Sequence, residues 1–458
     1  MGRLDQLRGG LAEFCADALT AHGCPSVSVA VAERGEVVLA EAYGTADTAT
    51  GRRATPDTAY GVASVTKPVT ATAICLAADE GLLNLDEPVP VPAHPLPRNR
   101  GQDRWPAPTV RQLLQHRGGL GAYYAWEYGD GAAAIDADAY TKLYREPGTG
   151  FEYANLGYRL LGKLLESAGG RELGAFIRER VFEPLGLAGC HVGRTYPGPG
   201  PAAVRYTAGG RAYPDYGCDH PGATLGWAPA GELALFAQTY ERLLKPETAA
   251  AVRAAIPVND RLGYGLGWCV SYGDGPVVLS HGGGGGGVAS MTVAVPEREL
   301  SIAVLSNCTS KAARDATVRY VLDTLVPGDI PAESISPVVP DRERPLHLPE
   351  GGAWSGAVGT PRGEIPIGLR VLAGGRIGLR LGHDEMVSEA VASDAWDLRA
   401  FLPLQMPTAD ARINSPCLFL GLRREGDRLV GVVHAYKNGE SDGLLGNYLS
   451  YPCELALR

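Results

Sequence analysis

At 458 residues the chain is long enough to bury a large hydrophobic core, and its length equals roughly three average domains. Hydrophobic residues make up 45% and charged residues 20%, which excludes an intrinsically disordered chain, a collagen-like repeat and a coiled coil. The 42 basic and 51 acidic residues give a net charge of −9, which argues against nucleic acid or an anionic membrane as a partner and favours a small or neutral substrate.

The N-terminal segment and the cysteines bear on where the protein works. Residues 1–22 carry Arg and Asp inside an apolar periodicity, unlike a secretory signal, and no apolar run approaches the ~20 residues of a membrane span. The nine cysteines occur singly, so we expect reduced, mostly buried thiols and a cytoplasmic protein. They are Cys15, Cys24, Cys75, Cys190, Cys218, Cys269, Cys308, Cys417 and Cys453.

The first elements are a helix, a hairpin and a second helix. Apolar residues recur at helical spacing over 4–21, which predicts an amphipathic helix. Residues 26–33 and 36–43 alternate around a tight turn, as a β-hairpin does. The Ala-rich run 64–80 predicts a buried helix that ends at Gly81.

Helices and strands then follow in an order that suggests one sheet. A proline-dense surface loop is expected at 88–108, before a short helix over 109–116 with Thr109 as its N-cap. Strands early and late with helices between them predict one sheet built from both ends of a large domain. Further helices are expected at 155–168, 173–182, 230–245 and 311–326, and strands at 289–296 and 300–306.

A proline-rich stretch divides the chain. Residues 327–350 restrict the backbone and lack many N–H donors, which indicates a linker between a domain at 1–326 and a second unit at 351–458. The second unit consists of short alternating segments separated by Gly, Asp and Asn turns. This pattern predicts a small all-β barrel or sandwich.

Ser64 and Lys67 form the strongest chemical motif. They lie three residues apart at the start of an apolar helix, so the hydroxyl and the amine can meet. Burial and the positive helix end lower a lysine pKa, which would let Lys67 act as a general base for Ser64. The alternative is an N-cap serine beside a solvated lysine, but the neighbours of Lys67 are apolar.

Two further motifs carry polar groups near glycine-rich turns. Tyr153 can shuttle a proton, and Asn155 can bind a substrate carbonyl or simply cap the next helix. His281 opens a glycine run in which bare N–H groups, with that of Ser64, can form an oxyanion hole. A phosphate-binding loop is the competing interpretation of the glycines, but no Lys-Ser/Thr pair or helix follows them.

In chain order, SVTK, YAN and HGG resemble the serine β-lactamase and penicillin-binding protein superfamily, whose signature is S-x-x-K, S-D-N and K-T-G. Segments such as VASVTKPVTA, TVRQLLQHRGGL, FEYANLGYRLLG and GYGLGW look like its class C and esterase branch, over residues 5–326. His281 stands where the signature has lysine, which is typical of relatives that are esterases, D-amino-acid peptidases and peptide-cyclising thioesterases. We therefore expect little or no β-lactam turnover.

The resemblance implies an α+β, β-lactamase-like fold, and the C-terminal segment looks like the lipocalin-like barrel of some relatives. It implies that Ser64 is the nucleophile, Lys67 its base and Tyr153 the proton relay. The residues expected to bind substrate or form the oxyanion hole are Asn155, His281, Gly283 and Gly284.

The expected reaction is acyl transfer through an ester on Ser64, from a peptide, amide, ester or thioester carbonyl. The substrate is a small peptide or acyl compound, a carrier-protein or small-molecule thioester included, and a setting in secondary metabolism is one option. Water as acceptor gives a hydrolase, and an amine gives a peptide-releasing cyclase or acyltransferase. A non-catalytic peptide-binding protein on the same fold is the rival interpretation. No cofactor or metal is expected, nor a nucleic acid or membrane partner.

The remaining polar and aromatic candidates rank lower. His116 is expected to be hydrogen-bonded scaffold, and Tyr123, Tyr124 and Trp126 either line the acyl pocket or simply pack. The segment 218–220, Cys-Asp-His, lacks a partner pair at zinc-binding spacing, and so does His22-Gly-Cys24, so neither is expected to bind metal.

Overall fold

The computed structural model describes residues 2–91, 105–129, 134–198, 200–271, 275–328, 330–331, 335, 342–411 and 414–458. Most of the expected proline-dense loop at 88–108 and much of the expected linker at 327–350 lie outside these residues. The described end of that linker pairs with the barrel segment 392–393 through residues 343–344. The domain boundaries at 326 and 351 stay a prediction.

The described helices are α1 (Arg3–His22), α2 (Thr66–Asp79), α3 (Val110–Leu114), α4 (Asn155–Gly169), α5 (Leu173–Ile177), α6 (Pro221–Thr224), α7 (Ala230–Thr239), α8 (Pro246–Arg253) and α9 (Ala312–Leu325). The described strands are β1 (Ser26–Glu33), β2 (Glu36–Asp47), β3 (Arg52–Arg53), β4 (Tyr60–Ala63), β5 (His191–Val192), β6 (Gly226–Ala228), β7 (Ile256–Pro257), β8 (Leu262–Tyr264), β9 (Cys269–Ser271), β10 (Leu279–Gly284), β11 (Ala289–Val295), β12 (Leu300–Ser306), β13 (Glu343–Arg344), β14 (Ala353–Thr360), β15 (Gly363–Leu372), β16 (Arg376–Leu381), β17 (Asp384–Glu389), β18 (Ala392–Ser393), β19 (Leu398–Leu402), β20 (Leu418–Glu425), β21 (Arg428–Ala435) and β22 (Leu449–Leu457).

One antiparallel sheet joins the two ends of the first domain, as predicted. Its strand order is β3-β2-β1-β12-β11-β10-β9-β8-β7, so the first hairpin pairs with strands that come more than 250 residues later. Successive side chains of β1 point to opposite faces, with valines on one and alanines on the other. The valines pack with α1 and α9, while α7 covers the opposite face. Both faces are therefore buried, which fixes the register.

The helical half places α2 at the centre of the molecule. Most of its side chains are buried, because α4, α5 and α6 pack around it. A short sheet of β4, β6 and β5 lies at its N-terminal end. The helix begins at Thr66, two residues later than predicted, so Ser64 belongs to the turn between β4 and α2.

Two other predicted helices end earlier than the sequence pattern suggests. Helix α5 ends at Ile177 and passes into a π-helical turn over Arg178–Phe182. Helix α7 ends at Thr239 and continues as a 3₁₀ turn over Tyr240–Leu243. The short helix α3 has the predicted N-cap, since Thr109 accepts a hydrogen bond from the Gln112 N–H.

The C-terminal unit is a nearly closed, antiparallel, eight-stranded barrel, which confirms the predicted all-β barrel. The strand order is β17-β16-β15-β14-β22-β21-β20-β19, and Ser388 of β17 donates to the Phe401 carbonyl of β19 at 3.1 Å. Alternate side chains point inward, as Ile377, Leu379 and Leu381 do from β16. Among the described residues, no helix combines the length and apolar character needed to cross a membrane.

Candidate active site

Ser64 lies in a tight, strained turn between β4 and α2. Ala63 has a φ of +45°, a left-handed conformation that residues other than glycine rarely adopt. Thr66 stabilises this turn because its hydroxyl donates to the Ala63 carbonyl at 2.6 Å and accepts from the Gly226 N–H at 2.8 Å. The turn thus presents the Ser64 side chain at the start of a buried helix, with only 9% of the residue exposed.

Lys67 meets Ser64 directly. Its amine nitrogen, Nζ, lies 3.2 Å from Ser64 Oγ and donates to the Ala223 carbonyl at 3.0 Å. The side chain is completely buried, and burial lowers the Lys67 pKa well below its usual value. In the part of the chain that the structure describes, no carboxylate acts on this pKa. The amine is therefore suited to be neutral and to accept the Ser64 proton.

Tyr153 is held beside this pair by His116. The His116 carbonyl accepts from the Glu152 N–H at 2.8 Å, and its Nδ1 accepts from the Ala154 N–H at 3.1 Å. The two bonds flank Tyr153, and the His116 and Tyr153 rings pack at 4.2 Å between centroids. His116 therefore positions the residue predicted to relay protons.

The Tyr153 ring also contacts the base. Lys67 Nζ lies 4.6 Å from its centroid, a cation–π distance if the amine is protonated. Burial raises the pKa of the Tyr153 phenol well above its ordinary value, and a hydrogen bond with Ser64 opposes this. The phenol is thus kept protonated and adjacent to the Ser64 hydroxyl, ready to donate a proton.

Asn155 is the first residue of α4, not its N-cap, which is Ala154. Its Nδ2 donates to the Tyr123 carbonyl at 3.1 Å. Its Oδ1 is buried without a hydrogen-bond partner. A buried, unpaired amide oxygen is rare in proteins and leaves one acceptor available to a substrate N–H.

His281 is buried on β10 with both ring nitrogens engaged. Nδ1 lies 2.9 Å from the Gly282 carbonyl and therefore donates, so Nε2 accepts from the Tyr264 hydroxyl at 3.0 Å. Burial, helped by Lys67, lowers the His281 pKa to about 3, so the ring is neutral. Its centroid is 6.4 Å from that of Tyr153, and its nitrogens bond neither Tyr153 nor Ser64.

The glycines after His281 differ in what surrounds them. A Cβ on Gly283 would lie 2.1 Å from the Val62 carbonyl oxygen and 3.1 Å from the Ser64 nitrogen. Only glycine therefore lets β10 approach the Ser64 turn this closely. A Cβ on Gly284 would point to the other face, toward Lys311. The strand edge that carries the two predicted oxyanion residues thus runs beside the Ser64 N–H.

The C-terminal barrel contributes a loop to the same region. Tyr124 and Tyr448 exchange two backbone hydrogen bonds of 2.8 Å, and Asn447 accepts from the Trp126 N–H at 3.1 Å. Leu445 approaches Gly286, so closely that a Cβ there would lie 2.6 Å from its methyl carbon. The barrel is packed against the glycine loop and the aromatic segment after α3.

Comparison with known proteins places this geometry in a family. The family model for Beta-lactamase matches residues 11–325. The chain belongs to the beta-lactamase family. This family placement agrees with the resemblance seen in the motifs around Ser64, Tyr153 and His281.

Relatives of this beta-lactamase-family chain include hydrolases. Esterase EstB of Burkholderia gladioli is 34% identical over 180 residues, which are 35% of this chain and 45% of EstB. Penicillin-binding protein 4 of Amycolatopsis lactamdurans is 28% identical over 326 residues, 64% of this chain and 83% of the relative. The match with EstB thus spans less than half of that relative.

The fold of this family member extends to its barrel. The structure of SurE with D-Leu superposes with a TM-score of 0.65 at 21% identity, covering 94% of this chain and 97% of SurE. At this identity the likeness concerns the fold alone. Within the described residues, no group of three or more His, Cys, Asp or Glu side chains is placed to hold a metal ion.

Sequence reasoning alone did not identify several groups of this beta-lactamase-family site. The Ala223 carbonyl on Lys67 and the Tyr264 hydroxyl on His281 come from segments 156 and 17 residues away. A backbone carbonyl has no sequence signal, and Tyr264 is one of 20 tyrosines. The GYGLGW segment that contains Tyr264 was the available signal, since it belonged to the family resemblance.

Proposed function

We propose that the protein transfers acyl groups through an ester on Ser64, acting on a peptide, amide, ester or thioester carbonyl. The observation that carries the proposal is the buried Lys67 amine at 3.2 Å from Ser64 Oγ, with the Tyr153 phenol beside both. The esterase EstB among the relatives supports an ester or related carbonyl as substrate. A carrier-protein thioester in secondary metabolism is included in the proposal.

Each group has one role in the proposed reaction. Neutral Lys67 accepts the Ser64 proton as Oγ attacks the carbonyl carbon. The N–H groups of Ser64 and Gly284 bind the developing oxyanion, and the Asn155 amide holds the substrate. Tyr153 gives a proton to the leaving group. Water or an amine then takes the acyl group by the reverse sequence.

Covalent labelling of Ser64 tests the nucleophile. The full chain is treated with a fluorophosphonate and, separately, with a panel of p-nitrophenyl esters, and intact mass is measured. We expect one adduct per chain, absent from Ser64→Ala and unchanged in Ser388→Ala on the barrel. Labelling that persists in Ser64→Ala would refute the assignment. A folded protein that gains no mass would instead be the non-catalytic peptide binder.

Transfer to an amine, including cyclisation of a peptide, is the second candidate. Tyr216 donates to the Gly286 carbonyl of the glycine loop at 2.8 Å, and the Trp126 ring packs on it at 5.2 Å between centroids. Such an aromatic surface favours an organic acceptor over bulk water. SurE was solved with D-Leu, so amines and esters of D-residues belong in the substrate panel. The ratio of amide to acid product, measured at increasing amine concentration, distinguishes transfer from hydrolysis, because a pure hydrolase yields only the acid. Nitrocefin turnover is expected to be negligible.

A further inference from the structure

The carbonyl that contacts Lys67 belongs to a short segment, residues 218–225, which is held from two sides. The Ala223 carbonyl accepts from Lys67 Nζ at 3.0 Å, and the preceding carbonyl, that of Gly222, accepts from the Thr70 hydroxyl at 2.7 Å. Both donors lie on one face of α2, because they are three residues apart. Helix α2 therefore binds one side of the segment through two successive carbonyls.

The other side of the segment is held from α4 by an ion pair. Arg159 Nε lies 3.3 Å from Asp219 Oδ2, and the second oxygen of that carboxylate is 2.9 Å from His220 Nδ1. Arg159 also binds Asp138 Oδ1 through Nη1 at 2.5 Å. Only 8% of the Arg159 side chain is exposed, so little water weakens its attraction to either carboxylate. The guanidinium thus ties Asp219 to α4.

The backbone of His220 connects this ion pair to Ala223. The His220 carbonyl accepts from the Ala223 N–H at 2.9 Å and from the Thr224 hydroxyl at 3.3 Å. Residues 220–223 therefore form one hydrogen-bonded turn, with the His220 ring at one end and the Ala223 carbonyl at the other. A displacement of Asp219, which holds that ring, is expected to move the carbonyl as well.

The Ala223 carbonyl determines how a neutral Lys67 amine is oriented. Such an amine has two hydrogens and one lone pair, and its nitrogen rotates freely unless a partner holds it. With one hydrogen on the Ala223 carbonyl, the lone pair can point at Ser64 Oγ, 3.2 Å away. The carbonyl also stabilises the ammonium that forms when the amine takes the Ser64 proton, because it accepts a hydrogen bond from the charged form.

We propose that Arg159 and Asp219 are positioning residues for the base: they hold the Ala223 carbonyl where it directs the Lys67 amine at Ser64. Both act through the turn that leads to Ala223, so neither is a catalytic residue. The inference rests on the function proposed for Ser64, in which Lys67 accepts the proton. It identifies what keeps that amine in a productive orientation.

Arg159 also links this anchor to the other half of the site. It follows Asn155 by four residues on α4, so the two side chains share a helix face. One helix therefore carries both the amide expected to bind substrate and the guanidinium that anchors the carbonyl on the base. Substrate and base are in this way positioned from the same element.

Uncharged groups surround the rest of the Lys67 amine, so the carbonyl has a measurable effect on its protonation. Burial raises the pKa of the neighbouring phenols and lowers that of the neighbouring histidines, which keeps all of them neutral. The titratable side chains that face the amine are Tyr153, Tyr158, His116, His281 and Cys218.

The test measures the Lys67 pKa directly, so it does not depend on turnover. The full-length chain is labelled with lysine that carries 13C at Cε, and the signals of its six lysines are followed through a pH titration. The signal that is missing from Lys67→Ala identifies the base.

Two substitutions of opposite charge separate position from electrostatics. Asp219→Ala removes a negative charge and Arg159→Met a positive one, so charge alone would shift the Lys67 pKa in opposite directions. We expect both to lower it by about half a unit or more, because the ammonium loses its carbonyl acceptor. Arg159→Lys keeps the charge but cannot bind two carboxylates at once, so it should lower the pKa too and serves if Arg159→Met does not fold.

The acylation rate provides a second measurement, with a matched control on the same helix. In Asp219→Ala and Arg159→Met the maximal rate with p-nitrophenyl acetate should fall about tenfold or more, because the amine is misplaced. The rising limb of the pH profile should move to lower pH. Lys163→Met removes a charge that contacts Asp138 at 3.6 Å, one turn further along α4, and should change neither the rate nor the limb.

Two results would overturn the proposal. Opposite shifts of the Lys67 pKa in Asp219→Ala and Arg159→Met would show that charge alone acts. Lowered stability with an unchanged pKa and rate would make the ion pair purely structural. If Ser64 of the parent chain is not acylated while both variants lower the Lys67 pKa, the function proposed for Ser64 fails and the anchoring of the amine stands.

Discussion

Lys67 is completely buried and lies in contact with the Ser64 hydroxyl, and these two features determine how readily its amine accepts a proton. A neutral amine requires no counter-ion, so its burial costs far less than that of an ammonium. The hydroxyl of Ser64 and the carbonyl of Ala223 satisfy its polar atom without adding charge. Among the described residues no carboxylate acts on the Lys67 pKa, so the surroundings of the amine keep it neutral while Ser64 lies in contact with it.

Replacing Lys67 by alanine should lower the rate of Ser64 acylation by about three orders of magnitude or more, since nucleophile and base act as a unit. The rate with p-nitrophenyl acetate measures this. Lys142→Ala is the control, because that lysine is also buried but does not bond Ser64. A loss below tenfold in Lys67→Ala would contradict the role of base.

The acylation rate of the parent chain should rise with pH through the Lys67 pKa. Only the neutral amine accepts a proton, and burial lowers this pKa well below the usual 10.5. The rising limb should therefore lie well below pH 10.5 in a profile of kcat/KM. A limb that remains near 10.5 would show that the amine is not desolvated in solution.

Tyr264 is the hydrogen-bond donor to His281 Nε2, because the other ring nitrogen, Nδ1, donates to the Gly282 carbonyl. Tyr264→Phe removes the donor to Nε2 and leaves that buried nitrogen unpaired, at a cost of about 1–3 kcal/mol. We expect a lower melting temperature and a fall of roughly three- to tenfold in kcat/KM as the ring reorients. Unchanged kinetics with lowered stability would make Tyr264 a purely structural residue.

At the scale of elements, strand β10 and the Ser64 turn form the closest backbone approach in the site. Gly283→Ala would place a methyl group 2.1 Å from the Val62 carbonyl oxygen, which is backbone and cannot rotate away. The strand and turn must then separate, which displaces the Ser64 N–H. We expect acylation to fall by about 100-fold, as when an oxyanion donor is lost.

Gly282→Ala is the matched control on the same strand. Its Cβ would lie 3.2 Å from the terminal methyl of Met291, a flexible group that can move. We expect acylation within about twofold of the parent, since the other face of the strand is affected. If both variants lost the same fraction of the acylation rate, any side chain on β10 would disrupt the site. The close contact between Gly283 and the Val62 carbonyl would then not be the cause.

The elements differ in how far the sequence alone predicts them. Helix α1 and strand β1 were predicted to within one residue, because periodicity and a tight turn are local signals, whereas β2 continues four residues beyond the predicted end at 43. The start of α2 was wrong by two residues, because Ala63 adopts a conformation that only tertiary contacts enforce. Thr66 and Gly226 supply those contacts from segments 160 residues apart.

The candidate site also combines contacts that local spacing predicts with contacts that depend on distant segments. Ser64 and Lys67 are three residues apart, so their meeting follows from helix geometry. The partners of Tyr153 and His281 come from distant segments, and nothing in the spacing of His116 or Tyr264 indicates them. Motif order and family resemblance therefore predicted which residues assemble, while the structure shows how they are held.

At the scale of the whole molecule, a hydrogen-bonded chain through Ser450 is among the links between the barrel and the first domain. His434 of β21 lies 2.7 Å from the Ser450 hydroxyl, which donates to the Ala122 carbonyl at 2.5 Å. Ser450 is thus committed as a donor to Ala122, and His434 Nδ1 must donate to it. Burial between Phe419 and Tyr448, which pack on its ring, keeps His434 neutral by lowering its pKa to about 3.

Acid should therefore destabilise the molecule as a whole. Burial lowers the pKa of His434 and of His281 to about 3, and that of His116 well below 6.5. As pH falls below 6.5 the unfolded chain binds protons at these sites and the native chain does not. The free energy of unfolding should then decrease by about 1.4 kcal/mol per pH unit for each histidine.

Melting temperatures between pH 7 and 4 should show this decline, and His434→Asn, which keeps a donor to Ser450, should make it shallower. His383→Asn, at an exposed turn of the barrel, should leave the slope unchanged. The same slope in all three proteins would mean that His434 is not held neutral by the fold.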